Sequence, residues 1–126
     1  MPFTVKVDKG RKLVYVTFTG ELDQAEITGP PAVISAHPDF DPSFSEIVDF
    51  TQVIEADIPI SLVRRMARGQ SIYAPDSRHA VIAPLAHIFG LVRMFQALAE
   101  QTRPNLAVVR TVDEAYEFLR IAPPPL

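Results

Sequence analysis

The sequence predicts a single α/β domain built on a five-stranded, mostly parallel sheet, with an antiparallel N-terminal edge strand and about four helices. Short apolar runs typical of strands alternate with longer segments typical of helices, in the order β-β-α-β-α-β-α-β-α. Strands that alternate with helices form parallel sheets with right-handed crossovers, and the two opening strands form a hairpin. We expect the domain to span residues 1–121 and a flexible, Pro-rich tail to occupy residues 122–126.

The elements follow from the spacing of apolar residues and from the signals that start and stop helices. Strand patterns either alternate apolar and polar residues or are short apolar runs, whereas helix patterns end near proline. The predicted strands cover residues 3–7, 13–19, 46–50, 80–83 and 106–109, and the predicted helices begin near residue 24 and then cover residues 60–74, 85–101 and about 112–121.

The first predicted helix contains a sequence that should interrupt it. Asp23 and Glu26 form a capping-box pattern, so the helix should begin near Gln24. Proline lacks an N–H and clashes with the carbonyl four residues earlier. We therefore expect the helix to break or bend sharply at Gly29-Pro30-Pro31 and to resume over residues 32–36.

The composition is that of an ordinary folded domain. Of the 126 residues, 48% are hydrophobic and 21% are charged, and the net charge is −3, so we expect no nucleic-acid binding. The absence of cysteine excludes disulfides, thiolate metal sites and thiol catalysis, and we expect no metal or cofactor. The chain lacks a signal-peptide pattern and any run of about 20 apolar residues, which predicts a cytoplasmic protein without membrane insertion.

Six stretches along the chain carry a family resemblance: VYVTFTGELD (14–23), HPDF (37–40), IVDFTQV (47–53), AVIAP (80–84), FGLVRMF (89–95) and TVDEAYEFL (111–119). In their order and spacing they resemble the SpoIIAA-like group of bacterial proteins, relatives of the STAS domain that are also described as STAS/SEC14-like. The resemblance covers nearly the whole chain. It implies a β-α superhelix with strands in sequential order and most helices against one sheet face. Most members of this sub-group have no established activity.

The resemblance also directs attention to the start of the helix after the third strand. In the family's anti-sigma antagonists, a kinase phosphorylates the first serine of an Asp-Ser-Ser/Ala-Gly pattern at this place. The corresponding stretch here is Asp57-Ile58-Pro59-Ile60, with isoleucine in the serine position and no following glycine. Ser61 lies three residues later, and we interpret it as an N-cap or first-turn residue. The resemblance therefore implies a protein without the phosphorylatable serine.

Polar residues follow the third, fourth and fifth strands, where ligands of parallel sheets often bind. Asp49 and His87 could form an acid–base pair there. Against this, strand-end Asp and Thr commonly bond loop backbone, and no nucleophile or metal set accompanies the pair. We predict that the protein is not an enzyme. The ligand-binding candidates are Asp49, Thr51, His87 and Arg110.

Arginines on the second long helix form a basic strip. Arg64, Arg65 and Arg68 share one narrow arc at about 100° per residue. A solvated outer face is the ordinary explanation of such a strip. The functional alternative is contact with an acidic partner or a phosphate-bearing ligand.

The helix predicted over residues 85–101 has an apolar stripe and an opposite side that carries an aromatic residue. Phe89 and Arg93 lie on that opposite side, and this composition is common at interface centres. Gly90 should be tolerated in mid-helix where something packs closely against the backbone. The predicted core stripe is Ile88, Leu91, Val92, Phe95 and Leu98.

The leading hypothesis is a non-enzymatic interaction domain that forms a homodimer and binds an unidentified protein partner. The helix surface around Phe89 and Arg93 is the preferred dimer contact. The alternative contact is the open sheet face, lined by Leu13, Tyr15, Thr17 and Thr19. The alternative function is a small-molecule or lipid-binding module, suggested by the SEC14-like side of the resemblance, with a small apolar or anionic ligand. An apolar cavity between helices and sheet would favour that second hypothesis.

Overall fold

A computed structural model describes residues 2–125, and the order of its strands and helices is the one predicted. None of the helices in this range is both long enough and apolar enough to cross a membrane. The strands are β1 (Phe3–Asp8), β2 (Leu13–Leu22), β3 (Ser45–Ala56), β4 (His79–Ile82) and β5 (Leu106–Val109). The helices are α1 (Gln24–Thr28), α2 (Pro30–Ala36), α3 (Ile60–Arg68), α4 (Ala86–Leu98) and α5 (Val112–Leu119).

The five strands form one mixed sheet in the sequential order β1-β2-β3-β4-β5. β1 is antiparallel to β2, and the remaining neighbours are parallel. The predicted α/β fold class is therefore confirmed, including the antiparallel strand at the N-terminal edge. Residues 1 and 126, which fall in the predicted domain and tail, lie outside the described residues, and the domain boundary at residue 121 stays a prediction.

Alternation along the strands divides the core between the two faces of the sheet. Helices α1 to α4 cover one face, where Val14, Val16 and Val81 point. Helix α5 covers part of the other face with Ala115, Tyr116 and Leu119, over the strand residues Leu13, Ile47, Ala80 and Ile82.

The first helical segment is interrupted where the prolines predicted it would be. The capping box at Asp23 and Glu26 is present, with both of its hydrogen bonds formed. α1 ends at Thr28, and α2 begins at Pro30 after Gly29. Pro30 and Pro31 occupy the first turn of α2, where their missing N–H groups leave no bond unmade.

β3 is longer than predicted, and this changes the position of Asp49. The strand continues to Ala56 because it pairs with an equally extended β2 as far as Leu22, with two register shifts on the way. Val53 and Ala56 are buried in this extension. Asp49 therefore lies in mid-sheet, between Thr17 and Ile82 in register, and the prediction that it follows a strand end was wrong.

α3 is shorter than predicted. It ends at Arg68, because Gly69 adopts an extended backbone instead of continuing the helix to residue 74. The chain that follows leaves the helix layer and turns inward, so that Tyr73 is buried in the core. The early end of α3 thus places a tyrosine beside the sheet.

α4 turns most of the predicted core stripe inward, because Ile88 is buried and Val92 and Phe95 pack against the core, but two residues of the helix differ from the prediction. Leu98, assigned to the core stripe, is 51% exposed, whereas Phe89, assigned to solvent, is half-buried and packs against the core. The difference follows from the position of β5 at the sheet edge. The Gln96 side-chain amide donates to the Leu106 carbonyl of β5 at 2.7 Å, which turns the Gln96 side of α4 towards that strand.

The sheet face predicted to be open is partly covered. Leu13 is buried within the cluster that α5 forms, and Tyr15 packs against the same cluster. Thr17 and Thr19 are partly exposed. The expectation that this sheet face is open was therefore wrong at Leu13 and Tyr15, because α5 crosses to this side of the sheet after β5.

Candidate functional site

A cavity of about 200 Å³ lies between the sheet and the layer formed by α1 to α4. Its floor is the apolar side of the sheet, and its walls come from the four helices and from residues 70–73. Pro31 and Gln70 are exposed members of the lining and mark its opening to solvent. The apolar lining includes Val16, Ile34, Val48, Val63, Val81, Leu91, Val92 and Phe95.

One part of the cavity wall is polar. Glu46 and His79 are neighbours in register on β3 and β4, at the amino ends of the two strands. Nδ1 of His79 lies 3.1 Å from Glu46 Oε1, and the Tyr73 hydroxyl donates to Glu46 Oε2 at 2.8 Å. Tyr73 also packs edge-on against the His79 ring, with 4.8 Å between centroids. The carboxylate, imidazole and phenol therefore form one connected cluster in the lining.

The hydroxyl of Tyr73 is held in its protonated form. Burial raises the pKa of Tyr73 well above its ordinary value, and the neighbouring Glu46 carboxylate raises it further. The phenol is thus a donor to Glu46 throughout the neutral pH range. The cluster orients Glu46 within the cavity wall, and it leaves His79 only 3% exposed.

Arg103 also lines the cavity. Its guanidinium carbon lies 5.2 Å from the centroid of the Phe95 ring, and one guanidinium nitrogen donates to the Thr102 hydroxyl at 3.0 Å. Desolvation lowers the pKa of Arg103, and the Glu46 carboxylate opposes this effect. Among residues 2–125, Arg11–Asp8 is the ion pair within 4 Å and His79 contacts Glu46, so no carboxylate there neutralises Arg103 at contact distance.

The predicted ligand-binding residues do not come together as a site. Asp49 is buried and faces the α5 side, where it accepts hydrogen bonds from the Tyr15 hydroxyl at 2.6 Å and the Thr51 N–H at 2.7 Å. His87 is exposed in the first turn of α4 and makes no hydrogen bond to Asp49. The acid–base pair expected from the sequence is therefore not formed, because both carboxylate oxygens already bond within the sheet.

Arg110 and Thr51, the other two ligand-binding candidates, also lie away from the cavity. The guanidinium of Arg110 lies over the Phe89 ring, 4.3 Å from its centroid. Thr51 is exposed on the extension of β3, beyond the last residue that β4 pairs. Neither residue lines the cavity, which opens on the opposite face of the sheet from Asp49.

The interface candidates occupy two helices. Arg64, Arg65 and Arg68 are exposed on α3, as expected of an outer face. Arg93 is exposed on α4, but Phe89 packs inward against the core, so the prediction that Phe89 lies on the side of the helix opposite the core was wrong. The homodimer and its contact surface stay predictions. Ser61 is exposed in the first turn of α3, and the absence of a phospho-switch likewise stays a prediction.

Sequence reasoning missed Glu46 and His79, although a signal for both was present. With a period of two, Glu46 shares a face with Val48 and Phe50, so a carboxylate stands in line with apolar core residues. His79 likewise shares a face with Val81. Charged residues on an apolar strand face are seldom buried without partners. Tyr73, which bonds Glu46, and Arg103, which lines the same cavity, lie in connecting segments that strand periodicity does not place.

The fold and the cavity define the class of this protein: an α/β domain with a sequential mixed sheet and a ligand-sized space under its helix layer. No family model matches the chain, and no curated protein matches it.

The structure is similar to the crystal structure of an uncharacterized protein of the DUF3478 family from Shewanella loihica PV-4, which has a SpoIIAA-like fold. The TM-score is 0.60 with 12% sequence identity, over 93% of each chain. The chain therefore has a SpoIIAA-like fold, as the resemblance in its sequence implied.

Proposed function

We propose that this protein is a non-enzymatic module that binds a small apolar molecule in the cavity beneath α1 to α4. The observation that carries the proposal is the cavity itself, which has about 200 Å³ of space and a mainly apolar lining. An engineered apolar cavity of roughly 150 Å³ is sufficient to bind benzene. A molecule slightly larger than benzene would replace empty space with van der Waals contacts.

The polar groups in the lining favour binding over catalysis. Glu46 is bonded to Tyr73 and His79, and the Ser71 hydroxyl accepts the Tyr73 N–H at 3.1 Å. Among the described residues, no hydroxyl is hydrogen-bonded to His79 as a nucleophile would be to its base. The cavity therefore has the groups to orient a ligand, without a nucleophile in position.

The interaction hypothesis is second to this proposal. Arg64 and Arg68 of α3 lie beside the exposed Leu98 of α4, which leaves a small basic and apolar surface on the outside of the helix layer. That surface is compatible with a partner, but its composition is also ordinary for a solvated helix face. The cavity has a defined shape and lining, and it supports a sharper experiment.

A pair of tryptophan substitutions on one helix tests the proposal. Leu91 lines the cavity, and Leu98 lies two turns later on the same helix with its side chain half in solvent. Leu91→Trp should fill the cavity, whereas Leu98→Trp adds the same ring on the outside. The probe is indole, which is neutral and has nine non-hydrogen atoms.

We expect indole to raise the melting temperature of the wild type and of Leu98→Trp, and to leave that of Leu91→Trp unchanged. Shifts of the Val48 and Val81 methyl resonances on titration would locate the probe. Stabilisation of all three proteins to the same extent would place indole elsewhere and overturn the proposal. Absence of binding to the folded wild type at millimolar indole would also overturn it.

A further inference from the structure

We propose that the molecule bound in this cavity is a small carboxylate: an aromatic or short branched apolar body with one carboxylate group that pairs with Arg103. This inference rests on the proposed function and adds the chemical class of the ligand. The apolar body lies between the helices and the sheet, and the carboxylate lies at the polar part of the lining.

The state of the Arg103 side chain is the first support. A guanidinium has five N–H donors in a planar fork that matches a carboxylate. In the described part of the chain, the Arg103 guanidinium makes one hydrogen bond, to the Thr102 hydroxyl, and no ion pair within 4 Å. It is half-buried and rests against Phe95. A charged fork with unused donors in an apolar cavity wall is a binding group for a planar anion.

The state of Glu46 is the second support, because it argues against a cationic ligand. Its two oxygens already take the Tyr73 hydroxyl and the His79 ring nitrogen. A ligand ammonium would have to compete with these bonds. A ligand carboxylate meets free donors on Arg103, and the charge of Arg103 offsets the repulsion from the Glu46 carboxylate, which acts on the same guanidinium. The side chain of Glu46 is also only 15% exposed, which limits the approach of a second donor.

The size and lining of the cavity define the rest of the molecule. Since roughly 150 Å³ accommodates benzene, a space of about 200 Å³ accommodates a body of one ring with one or two further carbons. Val48 and Val81 on the floor and Leu91 on the wall offer no polar atom to such a body. A long acyl chain or a sugar is therefore a poor fit, the first by volume and the second because its hydroxyls would go unbonded.

Three probes with the same ring test the assignment: phenylacetate, 2-phenylethanol and 2-phenylethylamine. They differ mainly in the charge of the terminal group. Calorimetric titration of the wild type should give the tightest binding for phenylacetate. Arg103→Gln should weaken phenylacetate by about tenfold to a hundredfold, the range for a hydrogen bond to a charged group, and leave the alcohol unchanged. Arg93→Gln is the matched control, because Arg93 is exposed on α4 and does not line the cavity.

Each outcome decides the assignment. Equal affinity of the wild type for the acid and the alcohol, with both lost in Leu91→Trp, would overturn the carboxylate and leave the cavity proposal intact. Preference for the amine would overturn it in favour of recognition by Glu46. Binding of none of the three probes, together with no indole binding, would overturn both proposals. The comparison on wild-type protein decides even if Arg103→Gln does not fold.

Discussion

Removal of the Tyr15 hydroxyl tests whether Asp49 is a structural residue of the sheet. Asp49 is 5% exposed, and its carboxylate accepts the Tyr15 hydroxyl at 2.6 Å and the Thr51 N–H at 2.7 Å. Tyr15→Phe removes the first of these bonds and keeps the ring. A hydrogen bond to a charged group contributes about 1.5–3 kcal/mol, so the variant should lose about that much stability.

The expected change in melting temperature follows from the chain length. An unfolding entropy of roughly 2.1 cal/mol/K per residue amounts to about 0.26 kcal/mol/K for 126 residues, so the melting temperature should fall by about 6–11 °C. Calorimetry at neutral pH measures this directly. Binding of phenylacetate at a temperature where the variant is folded should not change, because Tyr15 does not line the cavity.

Tyr116→Phe is the matched control for this experiment. Tyr116 packs on the same sheet face from α5, and no hydrogen bond of its hydroxyl is present among the described residues. Loss of the Tyr116 hydroxyl should therefore change the free energy of unfolding by less than about 1 kcal/mol. Equal losses in the two variants, or a loss below about 0.5 kcal/mol in Tyr15→Phe, would show that the bond to Asp49 is not stabilising.

Two further predictions concern a helix glycine and the tyrosines. Gly90→Ala should stabilise the protein by about 0.5–1 kcal/mol in chemical unfolding, because nothing lies within 4 Å of an added Cβ. The close packing against Gly90 that the sequence suggested is therefore absent. A destabilised Gly90→Ala variant would contradict this prediction. The pKa values of all three tyrosines are raised, mainly by burial, so the folded state favours the protonated phenols. Between neutral pH and about pH 10 the tyrosines should leave the stability unchanged, and above about pH 10 they should lower it. Absorbance at 295 nm, which no tryptophan obscures, should show tyrosinate forming together with unfolding. Three tyrosines titrating near pH 10 in folded protein would refute this.

The order of elements was predictable because each rests on local chemistry. The capping pattern at Asp23 places the start of α1, and Pro30 and Pro31 interrupt the helix irrespective of tertiary contacts. In contrast, the extension of β3 depends on its partner: residues 51–56 are strand because β2 pairs with them. The sequence of residues 51–56 alone does not show that β2 will pair with them.

The candidate site was the least predictable part. Ligands of parallel sheets often bind at the carboxyl ends of the strands, and this directed attention to Asp49. The cavity instead carries its polar groups at the amino ends of β3 and β4. Glu46 and Arg103 are far apart in sequence, and only the packing of the segment after α4 brings the arginine to the cavity. The position of Tyr73 depends on the end of α3 at Gly69, because a helix continued to residue 74 would not turn inward there.

The extension of β2 and β3 has a consequence for solubility. Beyond Asp49, the described part of the chain supplies no strand to pair with the outer side of β3, so residues 51–56 present backbone N–H and C=O groups along an edge. Such an edge can template pairing with another chain. Here two register shifts strengthen the local twist, and Glu55 places a charge on the exposed surface. A twisted, charged edge is a poor template for a flat intermolecular sheet, which protects a long strand that carries the exposed Ile54.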